Sequence, residues 1–209
     1  MVKKISFYFL WLSGIILIMF FLQQISGFTE IFVLNDLVYS GQIWRLVSSM
    51  FLHGGMAHLF YNLFALLLFG FILEKLIGSQ KFLIVFFVSG IISNLIAVNF
   101  YDSSLGASGA IYGVLGCIII LRPMMLIWAF GIMMPMFVAG ILWIIGDIMG
   151  IFGFGREGIG NIAHLSGMGF GLIYGIWLRA FVSRVFHKNE KFDIPEEYID
   201  EWERKYMGK

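Results

Sequence analysis

The sequence predicts an all-α membrane protein: a bundle of six transmembrane helices whose fourth helix is short and partly buried. The first observation is composition, since 60% of the 209 residues are hydrophobic and only 13% are charged. A soluble domain of this size needs a more polar surface. The second is a set of six apolar segments, which must be helical because lipid leaves every backbone polar group to be satisfied within the chain. The third is the shortness of the fourth segment.

The six segments follow one another along most of the chain. They run over Ile5–Leu22, His58–Leu73, Phe82–Phe100, Ser108–Leu121, Met124–Ile145 and Gly160–Val182. The first is long for a signal-peptide core and no small-residue cleavage site follows it, so we interpret it as a retained helix. We expect one six-helix domain over residues 1–186 and a charged cytoplasmic tail over 187–209. A surface helix is expected to start near Pro195.

The basic residues predict the orientation of this bundle. Most of them lie at one set of helix ends, and only Arg45 and Arg156 lie at the other. The larger set contains Lys3, Lys4, Lys75, Lys81, Arg122, Arg179, Arg184 and Lys188. Cytoplasmic loops carry an excess of such residues, so both termini are expected in the cytoplasm. The formal net charge of +1 gives no indication of a nucleic-acid partner.

Two connections on the outer side are unusual. Residues Phe28 to Phe51 form a long loop rich in apolar side chains, with Trp44 and Arg45 side by side. A loop of this kind is expected to lie in the membrane interface. The connection from Asp147 to Gly160 is rich in glycine, and we interpret it as a mobile cover.

Ser108 is the first residue of the short fourth segment. From Ser108 to Arg122 a helix rises roughly 21 Å, whereas the hydrocarbon core is roughly 30 Å thick. Ser108 is therefore expected on the order of 10 Å below the outer surface, where a helix end is tolerated only beside a wet cavity. The alternative is that this serine only caps the helix or joins two helices.

A serine nucleophile needs a base, and His164 is the candidate. It belongs to a stripe on one face of the sixth segment, formed by Gly160, His164, Gly167, Gly171 and Gly175. The fourth segment carries a matching stripe, formed by Gly109, Gly113 and Gly116. Glycine stripes let two helices approach closely, so the imidazole is expected to reach the Ser108 hydroxyl. A purely structural histidine is the alternative, although ionisable groups at membrane depth are usually functional.

Oxyanion donors are expected from the second segment. His58 and Asn62 lie four residues apart on one helix face, and His53 precedes them in a glycine turn. We assign His53, Asn62 and the Ser108 amide to the oxyanion hole, with His58 in a structural role. A zinc site on the three histidines is a weaker alternative, because their spacing is unusual for zinc and no carboxylate accompanies them. Since nothing in the sequence places Asp147 behind His164, we favour a Ser–His dyad and interpret Asp147 as a loop or helix-end residue.

Taken together, these residues resemble the rhomboid intramembrane serine proteases in their minimal six-helix prokaryotic form. The matching motifs are Trp44-Arg45, His53-x4-His58-x3-Asn62, Gly106-x-Ser108-Gly109 and Ala163-His164-x2-Gly167-x3-Gly171. The resemblance implies a nucleophilic Ser108, a general base at His164, and an oxyanion hole from His53, Asn62 and the Ser108 amide. Near the site, His58, Gly106, Gly109 and Gly167 are expected to be structural. It also implies that the loop near Phe152 to Gly158 caps the site and that the fifth segment borders the path by which substrate arrives.

The resemblance further implies an endopeptidase in the prokaryotic plasma membrane that cleaves transmembrane segments of other proteins without a metal or cofactor. Its partners are then membrane-protein substrates and the lipid bilayer, while the sequence does not indicate an oligomeric state. One alternative is an inactive relative that binds membrane clients, although such relatives typically lack the serine or the histidine. A transporter or proton channel is a further alternative, but inverted repeats and paired broken helices are not found.

Overall fold

The computed structural model describes residues 5–154, 160–189 and 196–207, and this part of the chain is mostly helical. Its helices are α1 (Tyr8–Leu22), α2 (Phe28–Phe32), α3 (Arg45–Ser48), α4 (Met56–Ala65), α5 (Phe71–Ile77), α6 (Ser79–Ala97), α7 (Ser108–Leu121), α8 (Met136–Ile151), α9 (Asn161–Asn189) and α10 (Glu196–Tyr206). Short 3-10 turns cover Asp36–Ser40 and Ser49–Phe51, and a π-helical turn, Leu66–Gly70, joins α4 to α5. Two strands, β1 (Leu126–Ala129) and β2 (Ile132–Pro135), pair between α7 and α8.

Within the described residues, two helical stretches are long and apolar enough to cross a bilayer. They are Met56–Ile77, which combines α4, the π-helical turn and α5, and Ser79–Ala97. Three further apolar helices, α1, α7 and α8, are shorter. Each of the six predicted segments overlaps a helix, and the bounds predicted for the fourth segment, Ser108–Leu121, are those of α7.

The prediction of a helix from Met124 is wrong for the first half of the fifth segment. The strands β1 and β2 form an antiparallel hairpin there, with Leu126 opposite Pro135 and Ala129 opposite Ile132. Phe130 and Gly131 both have positive φ, at 53° and 81°, which is the geometry of a tight two-residue hairpin turn. Pro135 lies immediately before the first residue of α8, where a proline does not break a helix.

The chain divides into two compact units, Met1–Ile176 and Trp177–Lys209. The first contains every residue of the predicted site. The second contains α10, which begins at Glu196 and so agrees with the surface helix predicted near Pro195. Most of the α10 side chains that the structure describes are exposed.

A buried glutamate attaches α1 to the rest of its unit. The Glu74 carboxylate accepts hydrogen bonds from the backbone N–H groups of Tyr8 and Phe9, both at 3.1 Å. The Ser79 hydroxyl donates a third hydrogen bond to it, at 2.6 Å. The residue before α1, Phe7, provides no side-chain cap, so Glu74 satisfies amides that would otherwise be left unpaired at the helix start.

Arg45 shapes the connection between α1 and α4 from inside. Its guanidinium is buried and donates to the backbone carbonyls of Glu30 (2.8 Å) and Val33 (2.6 Å) and to the Gln42 side chain (2.8 Å). Trp44 is about half exposed. The expectation that this loop lies in the membrane interface stays a prediction, while the buried arginine joins residues 30, 33 and 42 of the segment.

Helix α7 is largely buried within the first unit, since nine of its 14 residues are buried. The predicted contact between the glycine stripes is confirmed. A β-carbon added to Gly167 would overlap the Gly109 carbonyl, and a β-carbon added to Gly171 would overlap the Gly113 carbonyl. Gly160 does not take part, since it precedes α9. The two backbones are thus in direct contact, which brings the first turns of α7 and α9 side by side.

Candidate active site

The structure places Ser108 and His164 within hydrogen-bonding distance, with 2.8 Å between Ser108 Oγ and His164 Nε2. Ser108 opens α7 and His164 lies in the first turns of α9, so the glycine contact that joins the two helices also fixes this distance. Both side chains are part-buried. A hydroxyl paired with an imidazole in this way can be deprotonated as it attacks an electrophile.

Asp147 corrects the sequence-based interpretation. We interpreted it as a loop or helix-end residue, but it lies inside α8, four residues before the last, is buried, and its Oδ1 is 3.1 Å from Nδ1 of His164. The structure therefore aligns a serine, a histidine and an aspartate, whereas the sequence favoured a dyad. The signal that could have found Asp147 is its position two residues beyond the fifth apolar segment, since a carboxylate at membrane depth is costly and usually functional.

Tyr112 is a site residue that the sequence analysis missed. Its ring stacks on the His164 ring, with 4.3 Å between centroids and 16° between planes. Tyr112 follows Ser108 by four residues on α7, so it lies on the same helix face one turn further on. This spacing is the signal that could have indicated it. The stacking restricts the rotation of the imidazole that faces Ser108.

The structure places His53 differently from the prediction. Its ring is buried and does not line the cavity above Ser108. Gln23 holds the backbone of His53, accepting from its N–H at 2.9 Å and donating to its carbonyl at 3.2 Å. Burial, and then the neighbouring His58, lowers the pKa of His53 to about 4, so this ring is neutral at physiological pH. His53 thus supports the loop before α4 instead of facing a substrate.

His58, for which we predicted a structural role, faces the cavity. A β-carbon on Gly106 would lie 2.8 Å from its Nε2 and Cε1 atoms, so the ring packs directly on the turn before Ser108. The Gly54 N–H donates to His58 Nδ1 at 3.4 Å, which leaves Nε2 to carry the proton of the neutral ring. Gly106 has a φ of 123°, a conformation that other residues rarely adopt.

A cavity of about 980 Å³ opens above Ser108, as the short fourth helix predicted. Asn62 from α4 lines it with His58, and its Nδ2 donates one hydrogen bond to the His58 carbonyl at 2.9 Å. The second amide hydrogen of Asn62 remains available to a ligand. Ser93 of α6 donates to the Ala163 carbonyl and fills the space beside Gly109. The cavity thus combines one nucleophile with donors from two helices.

The predicted cover lies partly outside the described residues. Residues 147–151 of this connection belong to α8, while 155–159, with Arg156 and Gly158, are not described. Phe152 and Phe154 are strongly exposed. Within the described part of the chain, no three histidine, cysteine or acidic side chains are placed to bind one metal ion.

The family model for the Rhomboid domain matches residues 40–181, which is more than half of the chain. The chain belongs to the rhomboid family. This match confirms the resemblance drawn from the four motifs. The rhomboid family is a family of integral membrane proteins that are intramembrane serine proteases, some members of which are inactive.

Several curated rhomboids are similar to this chain. Rhomboid protease GluP of Bacillus subtilis is 34% identical over 165 residues, covering 73% of this chain and 31% of that protein. Rhomboid protease GlpG of Yersinia pseudotuberculosis is 30% identical over 137 residues, covering 65% and 48% of the two chains. Inactive RHOMBOID-like protein 8 of Arabidopsis thaliana is 35% identical over 80 residues, covering 37% and 23%. The chain spans less than half the length of each of these relatives.

Proposed function

We propose that this rhomboid is a catalytically competent intramembrane serine endopeptidase that cleaves transmembrane segments of other membrane proteins. The 2.8 Å contact between Ser108 and His164, beneath an open cavity, carries this proposal. Family membership alone does not decide activity, because one similar rhomboid is named inactive. A paired nucleophile and base is the feature that an active member needs.

In the proposed reaction, Ser108 Oγ attacks the carbonyl carbon of the scissile peptide while His164 Nε2 accepts the hydroxyl proton. The tetrahedral intermediate collapses to an acyl-enzyme as His164 returns that proton to the leaving nitrogen. Water, deprotonated by the same imidazole, then hydrolyses the ester and regenerates Ser108. Each step needs only the imidazole at this position, and no metal or cofactor enters the chemistry.

We assign the oxyanion hole to the Ser108 amide, Asn62 and His58. The amide belongs to the first residue of α7, where backbone N–H groups are unpaired and the helix dipole favours negative charge. Asn62 offers its free amide hydrogen and His58 its Nε2–H, both from α4. His53 is replaced in this role because its ring lies outside the cavity.

The proposed topology has six spans, with α1, α4 to α5, α6, α7, α8 and α9 in the membrane and both termini in the cytoplasm of a prokaryotic cell. The predicted domain over 1–186 and tail over 187–209 belong to this proposal. Its substrates are other membrane proteins, and the lipid bilayer is the medium through which they arrive.

A fluorophosphonate probe tests the proposal, because it reacts covalently only with an activated serine. We expect the probe to label the purified wild-type protein and leave Ser108→Ala unlabelled. Ser13→Ala, which removes a buried hydroxyl of α1 that donates to the Phe9 carbonyl of its own helix and does not line the cavity, is the matched control and should still be labelled. Labelling that persists in Ser108→Ala would refute the nucleophile, and a folded wild-type protein without labelling would favour the inactive, client-binding alternative.

The revised oxyanion hole makes its own prediction. His58→Ala and Asn62→Ala should each reduce kcat by about 10²–10³-fold, because one donor to the developing negative charge is lost while others remain. His53→Gln should change kcat far less, since its ring does not reach the cavity. Cleavage of a reconstituted membrane substrate gives these rates. A larger loss of kcat in a stable His53→Gln than in His58→Ala would restore the original assignment.

A further inference from the structure

The Asp147 side chain occupies a position that a purely structural role does not explain. It lies in α8, a helix of apolar residues, and it is 5% exposed. Burying a carboxylate costs several kcal/mol unless hydrogen bonds or an opposite charge compensate. In the described part of the chain, no lysine or arginine forms an ion pair with it, and its Oδ2 has no hydrogen-bond partner.

Asp147 lies beside the base of the proposed reaction. Its Oδ1 lies 3.1 Å from His164 Nδ1, on the opposite side of the imidazole from Ser108. A carboxylate can only accept a hydrogen bond, so this contact requires a proton on Nδ1. The neutral imidazole then has its lone pair on Nε2, where the Ser108 hydroxyl must donate.

We propose that Asp147 is the positioning residue of a Ser108–His164–Asp147 triad in this rhomboid, an inference that rests on the proposed function. It fixes the His164 tautomer and stabilises the imidazolium that forms when the Ser108 proton moves to Nε2. The Nδ1 proton stays on the ring throughout, and the carboxylate takes up no proton. Tyr112, stacked on the ring, prevents the imidazole from turning away from this line.

The surroundings of Asp147 fit this role. Asp147 and His164 border a second cavity of about 270 Å³, together with Tyr112, Trp143 and Asn161. Oδ2 itself is buried, so the contact of Oδ1 with His164 is a hydrogen bond that compensates for the burial of this carboxylate. Helix α8 thus contributes to the site a side chain that supports the base without touching the substrate.

Asp147→Asn tests the proposal because the amide keeps the shape of the side chain and removes its charge. The amide nitrogen can donate to Nδ1 and so favour the tautomer with a proton on Nε2, which cannot accept from Ser108. We expect kcat for a membrane substrate to fall by about 10²–10⁴-fold, with KM changed by less than about threefold and the unfolding temperature retained. Asp147→Glu should recover part of kcat.

Asp36→Asn is the matched control, since it makes the same change at an exposed position in the 3-10 turn Asp36–Ser40, away from the cavity. Its kinetics should equal those of the wild type. A folded Asp147→Asn whose kcat stays within about threefold of the wild type would overturn the proposal.

A spectroscopic measurement on the wild-type protein tests the His164 tautomer directly, so it does not depend on whether Asp147→Asn folds. In the ¹⁵N spectrum of histidine-labelled wild-type protein, His164 is expected as the neutral tautomer with its proton on Nδ1. A proton on Nε2 of neutral His164 would overturn the proposal. Fluorophosphonate labelling of the wild type distinguishes failure of the proposed function from failure of the role of Asp147. The absence of labelling would refute the proposed protease function, whereas the His164 tautomer tests the role of Asp147.

Discussion

His164→Ala is expected to abolish cleavage of a membrane-protein substrate as completely as Ser108→Ala. The two side chains act as one unit, so removing either leaves a serine without a base or a base without a nucleophile. We expect kcat to fall by at least about 10⁴-fold in each variant, with the double variant no worse than either single one. Cleavage of a reconstituted substrate, followed by gel electrophoresis, measures the loss.

The matched control for this experiment is another part-buried polar residue of α9. Ser166→Ala removes a hydroxyl that donates only to the Ile162 carbonyl of its own helix, at 2.6 Å, and should leave cleavage close to the wild-type rate. Additive losses in the double variant Ser108→Ala/His164→Ala would show that the two residues act separately. That result would contradict the proposed mechanism even if each single variant were inactive.

Gly171→Ala is expected both to destabilise the bundle and to abolish the proposed activity. The new methyl group would meet the Gly113 carbonyl, a backbone atom that cannot rotate away, so α7 and α9 must separate. Overpacking of this kind costs about 1–3 kcal/mol, and a displacement of about 1 Å at a reactive pair costs about 10²-fold in rate. Unfolding in detergent and the cleavage rate measure the two effects.

Gly169→Ala gives a direct comparison on the same helix. A β-carbon at Gly169 meets nothing within 4 Å, so the substitution changes the sequence of α9 without touching α7. It should preserve activity and, since alanine favours the helix over glycine, stability as well. Equal behaviour of the two variants would mean that close contact between the glycine stripes does not determine the geometry of the site.

Much of the site could be predicted because its signals are local. The bounds of α7 follow from an apolar run between Ser108 and Arg122, and the contact between α7 and α9 follows from glycines spaced at helical intervals. The sequence also contained a local signal that favours His58 over His53 as the proposed oxyanion donor. His58 and Asn62 share one face of α4, whereas His53 precedes that helix, beyond the glycine pair.

The position of Asp147 could not be predicted because it depends on the hairpin between α7 and α8. An apolar run from Met124 to Ile145 predicts a helix, and only the turn at Phe130 and Gly131 shows that this helix begins at Met136. That start, together with the packing of α8, determines which of its residues faces His164. The sequence identifies a carboxylate in the membrane region but not its neighbour.

The two halves of the proposed catalytic pair lie 56 residues apart in the chain. During synthesis, a ribosome-bound intermediate that ends after α8 holds the serine and the aspartate but not the imidazole between them. Without the imidazole, such an intermediate lacks the base of the proposed reaction. The proposed protease therefore becomes competent only after α9 has been added to the bundle.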